Sequence, residues 1–131
     1  TFPFHGIAMV EVVVCKAPAS IVRNHLKDGR GALSVIEILS KKLHDANERN
    51  MILSTTDPKA KIARLFAYRA SQFHRDSFSM KLSDIASAVS LRPETVSRKI
   101  SELLQDGVLE KKGRSAFRIC DFEALVEIVN S

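Results

Sequence analysis

The sequence contains no tryptophan, one tyrosine, two cysteines and five glycines. Each scarcity excludes something. Cys15 and Cys120 lie far apart and no other cysteine supplies ligand spacing, so a disulfide framework and a cysteine metal site are set aside. Both sit in apolar, strand-like runs and are expected to be buried free thiols. His5, His25, His44 and His74 show no H-x-x-H, H-E-x-x-H or mixed Cys/His spacing, which argues against a metal centre built on histidine. The glycines form no phosphate-cradling loop. No nucleophile, base and orienting group can be assembled from recognised motifs, so an enzyme is not expected. No apolar run approaches the roughly 20 residues that span a bilayer. The start, Thr1-Phe2-Pro3-Phe4-His5, has no basic n-region or signal-peptide core. A cytoplasmic protein without a membrane partner is the expectation. The chain has no internal repeat and no low-complexity tract.

What is present is enough to build a core. Of the 131 residues, 45% are hydrophobic, which is not a disordered composition. That length suits one domain, or one small domain with an appendage. The net charge is +5. Residues 1–56 hold seven basic and five acidic groups, and residues 57–131 hold thirteen and ten, so neither half is a polybasic tail. The balance permits a polyanion partner without establishing one.

The most informative stretch is Leu82 to Gln105, LSDIASAVSLRPETVSRKISELLQ. Ser83 is a candidate N-cap for a first short helix, in which Ile85, Ala86 and Val89 recur at helical spacing. A break at Ser90-Leu91-Arg92 follows. Pro93 suits the first turn of a second helix, where its missing N–H has no partner to lose. Val96, Ile100 and Leu103 fall in one wedge of that helix, while Glu94, Arg98, Ser101 and Gln105 point nearly opposite and Ser97 borders their face. A buried first helix followed by a second with a polar outward face is the layout of a helix-turn-helix.

The rest of the chain extends this unit at both ends. Residues 7–14, IAMVEVVV, read as a strand that needs a partner. A short amphipathic helix over 21–26 is expected to end at Lys27-Asp28-Gly29-Arg30-Gly31. From Ala32 to Leu53, Ile36, Leu39, Leu43, Ala46, Asn50 and Leu53 alternate three and four apart, a heptad-like seam that suits dimerisation. A bundle helix within one subunit gives a similar pattern. Asp57-Pro58 opens the next helix, which runs to about Phe73, and Phe78-Ser79-Met80 suits a short strand. Beyond Gln105, Asp106-Gly107 turns the chain into Val108–Lys112. The tip Lys112-Gly113-Arg114 then joins it to Ser115–Cys120 as a hairpin. Asp121 caps a last helix carrying Phe122, Leu125, Val126 and Val129.

The run from Leu82 to Arg98, continued through Leu103-Leu104-Gln105-Asp106-Gly107-Val108-Leu109, resembles the DNA-binding domain of the cyclic-AMP receptor / fumarate–nitrate regulator (Crp/Fnr) superfamily. Its most specific piece, Glu94-Thr95-Val96-Ser97-Arg98, looks like the E-T-V-S-R core of that family's recognition helix. Ala32–Leu53 resembles the family's dimerisation helix, and Lys61-Ile62-Ala63-Arg64-Leu65 part of the helix after it. The resemblance implies a mainly α fold with a small β wing. Residues 1–30 would be the end of a sensory β-roll, 31–56 a dimerisation helix and hinge, and 57–131 a winged helix-turn-helix. Most of the family's N-terminal roll would be missing from this chain.

The resemblance further implies base contacts from Glu94, Ser97 and Arg98. Lys81, Ser83, Arg92, Thr95, Lys99, Ser101, Lys111, Lys112 and Arg114 become candidates for phosphate or flanking contacts. The implied partners are a second copy of the chain, a near-palindromic double-stranded DNA operator and RNA polymerase. The effector stays open between cyclic nucleotide, haem, another small molecule and none. The rival reading is a winged helix that binds protein, with the long helix serving only to oligomerise.

Overall fold

The computed structural model describes residues 11–131. The chain divides into two compact units between Lys42 and Leu43. In the first, residues 11–18 carry no regular secondary structure. The strand expected over 7–14 therefore lies partly outside the described residues. Its described part, 11–14, is exposed and joins no sheet among the described residues. The first helix, α1 (Ala19–Leu26), leads directly into α2 (Gly29–Ser54). The glycines expected to end α1 instead open α2. At Gly31 a side chain has no room, because a Cβ would run into the His25 carbonyl oxygen.

The second unit is built around α3 (Pro58–Phe73). The Asp57 carboxylate accepts a 2.7 Å hydrogen bond from the Ala60 N–H and Pro58 occupies the first turn, as the sequence leads one to expect. Ala60, Ile62, Ala63, Leu65, Phe66 and Ala70 are buried, so α3 is apolar on several sides and serves as the central post. Around it stand β1 (Ser77–Ser79), α4 (Leu82–Val89), α5 (Pro93–Gln105), β2 (Leu109–Lys111), β3 (Ala116–Ile119) and α6 (Phe122–Asn130). Asp121 caps α6 by accepting from the Ala124 N–H at 2.9 Å. Gly107, with φ at 73°, supplies the left-handed turn from α5 into β2.

The wing is larger than the expected hairpin. It is a three-stranded antiparallel sheet in the order β1-β3-β2, with Phe78 opposite Phe117 and Glu110 opposite Arg118. The β1 strand, far away in sequence, is held by an aromatic trio. The Phe66, Phe78 and Phe117 rings lie 4.8, 5.7 and 6.1 Å apart between centroids, joining α3 to the sheet. Phe66 is fully buried at the centre of that trio. Phe66→Ala should therefore cost about 3–5 kcal/mol, read as a fall in the urea midpoint with an unchanged m-value. A loss under about 1 kcal/mol would show that the trio does not hold the sheet to α3.

Two expectations about single residues are corrected. Cys15 and Cys120 are both exposed. Cys120 follows β3, where Phe117 and Ile119 face the core, so the two-residue period carries Arg118 and Cys120 outward. Ser83 is not an N-cap: the cap position falls two residues earlier, at Lys81, and α4 starts at Leu82. The Ser83 hydroxyl instead lies 3.5 Å from the Asp84 carboxylate.

Candidate nucleic-acid interface

The helix-turn-helix forms because each of its helices has one apolar face to bury. In α4 these residues are Ile85, Ala86 and Val89; in α5 they are Val96, Ile100 and Leu103. The connection turns at Ser90, whose φ of 52° places it in the left-handed region, and its N–H and that of Leu91 bond back to the carbonyls of Ser87 and Ala86. Burial on one side fixes what α5 shows on the other. Glu94, Ser97, Arg98, Ser101 and Gln105 are all exposed. Glu94, Ser97 and Arg98 line a single open concavity together with Leu82 and Pro93. The structure thus brings the three expected base-reading residues into one place, beside the start of α4.

An exposed Glu and Arg four residues apart on a helix commonly pair with each other. These do not: among the described residues neither Glu94 nor Arg98 forms an ion pair. Arg98 keeps its forked donor set open and Glu94 its acceptors. A guanidinium of this kind can bond guanine O6 and N7 together, and a carboxylate can accept from cytosine N4. Ser97 supplies a hydroxyl that can donate or accept.

The surrounding candidates separate by what else they touch. Lys99 is half-buried and its ammonium lies 2.8 Å from the Glu102 carboxylate, so its charge is engaged on the flank of α5. Ser101 donates to the Ser97 carbonyl at 3.0 Å. Thr95 is half-buried. Lys112 pairs with Glu110 at 2.9 Å, whereas Lys111 and Arg114 are exposed and form no ion pair among the described residues. Lys81 and Arg92 occupy the N-cap positions of α4 and α5, and both are exposed. Neither helix has a side-chain cap, in contrast to the Asp-capped α3 and α6. First-turn N–H groups of α4 and α5 are therefore left without that competitor, beside Lys81, Ser83 and Arg92.

Several contacts hold this surface in place, and sequence reading missed them. The Ser115 carbonyl accepts from the Met80 N–H at 2.8 Å and from the Ser79 hydroxyl at 3.2 Å, joining the wing loop to the lead-in of α4. Lys59, in the first turn of α3, reaches Asp106 at the end of α5 at 2.6 Å. On the outer face of the sheet Arg118 bonds Asp76 at 3.0 Å, which lowers the Asp76 carboxyl below its usual range and raises the guanidinium. Arg118 is thus occupied and does not join the open cations. These pairings bridge residues 35 or more positions apart and leave no periodic trace in the sequence.

On α2, the expected seam residues Ile36, Leu39, Leu43, Ala46, Asn50 and Leu53 are all exposed. Within the second unit the helix instead buries Ile52, 2% exposed, with Asp45 and Glu48 half-buried on the same side. Among the described residues nothing covers the seam. Among the described residues no group of three or more His, Cys, Asp and Glu is placed to hold a metal ion, and no helix is long and apolar enough to cross a membrane.

A winged helix-turn-helix with an open polar face on its second helix is the class these elements define. The family model for the Crp-like helix-turn-helix domain matches residues 60–128, more than half of the chain, and the chain belongs to that family. Solved structures share the fold. FixK2 from Bradyrhizobium japonicum is 19% identical with a TM-score of 0.73, over 84% of this chain and 57% of its own. A CooA mutant from Carboxydothermus hydrogenoformans is 15% identical with a TM-score of 0.71, over 85% and 54%. A CRP-family transcriptional regulator from Thermus thermophilus is 23% identical with a TM-score of 0.68, over 79% and 56%. The chain therefore spans a little over half the length of these relatives. Comparison with curated proteins gives no match.

Proposed function

We propose that this chain is the DNA-reading and dimer-forming portion of a sequence-specific transcription regulator that acts as a homodimer on a near-palindromic operator. The observation that carries the reading is the face of α5: Glu94, Ser97 and Arg98 exposed, without a side-chain partner among the described residues, and gathered in one concavity. A surface built to bind an apolar protein partner has no use for three such groups. In this reading Arg98 and Glu94 read a guanine and a cytosine, and Ser97 bonds a neighbouring base or phosphate. Lys81, Ser83, Arg92, Lys111 and Arg114 position the domain on the backbone. Thr95, Lys99, Ser101 and Lys112, partly buried or already bonded, make smaller contributions. Two chains joined along the α2 seam present their α5 helices to successive major grooves, about 34–36 Å apart. A signal sensed upstream of the long helix would alter the balance between dimer states of unequal DNA affinity. RNA polymerase would be met at the promoter.

Interference by guanine N7 methylation tests the base-reading step. A blocked guanine in each half-site, relieved in Arg98→Ala, is the expected result. Interference spread evenly along the duplex, identical in parent and variant, would refute it and favour the protein-binding alternative.

A further inference from the structure

The C-terminal part of α2, residues 43–54, has two faces with different fates. One carries Leu43, Ala46, Asn50 and Leu53, all exposed. The other faces α3. There Asp45 Oδ1 accepts a hydrogen bond from the Tyr68 hydroxyl at 2.8 Å and from the Gln72 amide at 3.0 Å, and Ile52 enters the common core. The chain turns between the helices in residues 55–57. Asp45 stands about 14 Å of helix before that turn, and Tyr68 about 15 Å after it. The two segments therefore run antiparallel, in matched register, with the Asp45 node far from the joint.

That position decides what the node can do. Ile52, close to the joint, fixes where α2 meets α3 but leaves the opening angle weakly determined. A rotation of 10° about the joint would move Asp45 by about 2.4 Å at a radius of about 14 Å, enough to break both hydrogen bonds. Burial and the adjacent carboxylate also raise the Tyr68 phenol above its ordinary value, so the donor stays protonated through the working pH range. From α3 the link continues rigidly: Ile62, Leu65 and Phe66 share one core with Val96, Ile100 and Leu103 of α5, and Lys59 ties α3 to Asp106.

We infer that Asp45 is a positioning residue: by holding Tyr68 and Gln72 it sets the angle between the exposed seam of α2 and the reading helix α5, and so sets the half-site separation that a dimer accepts. The inference rests on the DNA-reading dimer proposed above. Each base pair added between half-sites moves them about 3.4 Å apart along the duplex, so a dimer whose reading helices are held at one angle accepts one separation.

The test uses the full protein and operators whose two identical half-sites are moved apart or together by one and two base pairs. The parent should prefer one spacing at least tenfold. In Asp45→Ala that preference should fall to about threefold or less, while affinity for an isolated half-site and the sedimentation mass stay at parental values. Tyr68→Phe, which removes one of the two donors and little volume, should lie between and remains informative if the alanine variant folds poorly. A merely structural role would weaken every spacing by the same factor. That outcome, or a folded Tyr68→Phe and Asp45→Ala with the parental spacing profile, overturns the inference. A parent that binds all duplexes alike overturns the DNA-reading proposal first, and this inference with it.

Discussion

Arg98→Ala should lower affinity for each specific half-site by roughly 5- to 150-fold, the equivalent of about 1–3 kcal/mol for a lost bidentate base contact. Affinity for unrelated duplex should fall much less. The reason is the isolation of this side chain. Arg98 is exposed and forms no ion pair among the described residues, so its removal leaves no buried group without a partner. Stability should change by no more than about 0.5 kcal/mol. A loss of binding therefore reports recognition and not unfolding. Arg98→Lys sharpens the point, because an ammonium retains charge but lacks the planar fork that spans O6 and N7. The lysine variant should keep much of the non-specific affinity and lose most of the discrimination. Equal affinity of parent and both variants for specific and scrambled duplexes would remove Arg98 from base reading.

Leu39→Asp combined with Leu43→Asp should convert a dimer to a monomer. Both leucines are exposed on α2, at 58% and 64%, so neither supports the core of a single chain. In a two-fold interface each substitution is introduced twice and sets carboxylates against an apolar seam. An uncompensated buried charge costs several kcal/mol, on the order of 3–5 for a broken pair, which is enough to dissociate most small interfaces. The expected readout is a halved sedimentation mass, an unaltered helical signal, and retention of weak binding to a single half-site. An unchanged mass would show that these positions are not the seam.

The legibility of this chain divides along a physical line. Features set by local chemistry are legible in the sequence: the Asp57-Pro58 helix start, Pro93 opening α5, the turn at Gly107 and the Asp121 cap of α6. So is the separation of α5 into a buried face and a polar one, because a 3.6-residue period is written in the order of the side chains. What required the fold were pairings over long sequence separation. The Phe78–Phe117 register makes the wing three-stranded, yet a three-residue strand is too short to declare a partner. The Asp45 node was hidden for the same reason, since Asp45, Tyr68 and Gln72 are ordinary polar residues until two helices fold back on each other. Ile52 lies on the face of α2 away from the heptad seam, where a single apolar residue beside Asp45 and Glu48 makes no period to read. The cysteine expectation failed on a point the sequence does contain: if Phe117 and Ile119 face inward, Cys120 faces out. Apolar surroundings in sequence outweighed the period that decides the direction of a side chain.

The most direct measurement of the central claim is a random-oligonucleotide selection on the full-length protein, with and without cell extract to supply an effector. The account predicts enrichment of a two-fold-symmetric site whose half-sites lie about one helical turn apart, 10–10.5 base pairs between centres, and the loss of that symmetric enrichment in Arg98→Ala. A folded, dimeric protein that enriches no sequence under either condition would contradict it.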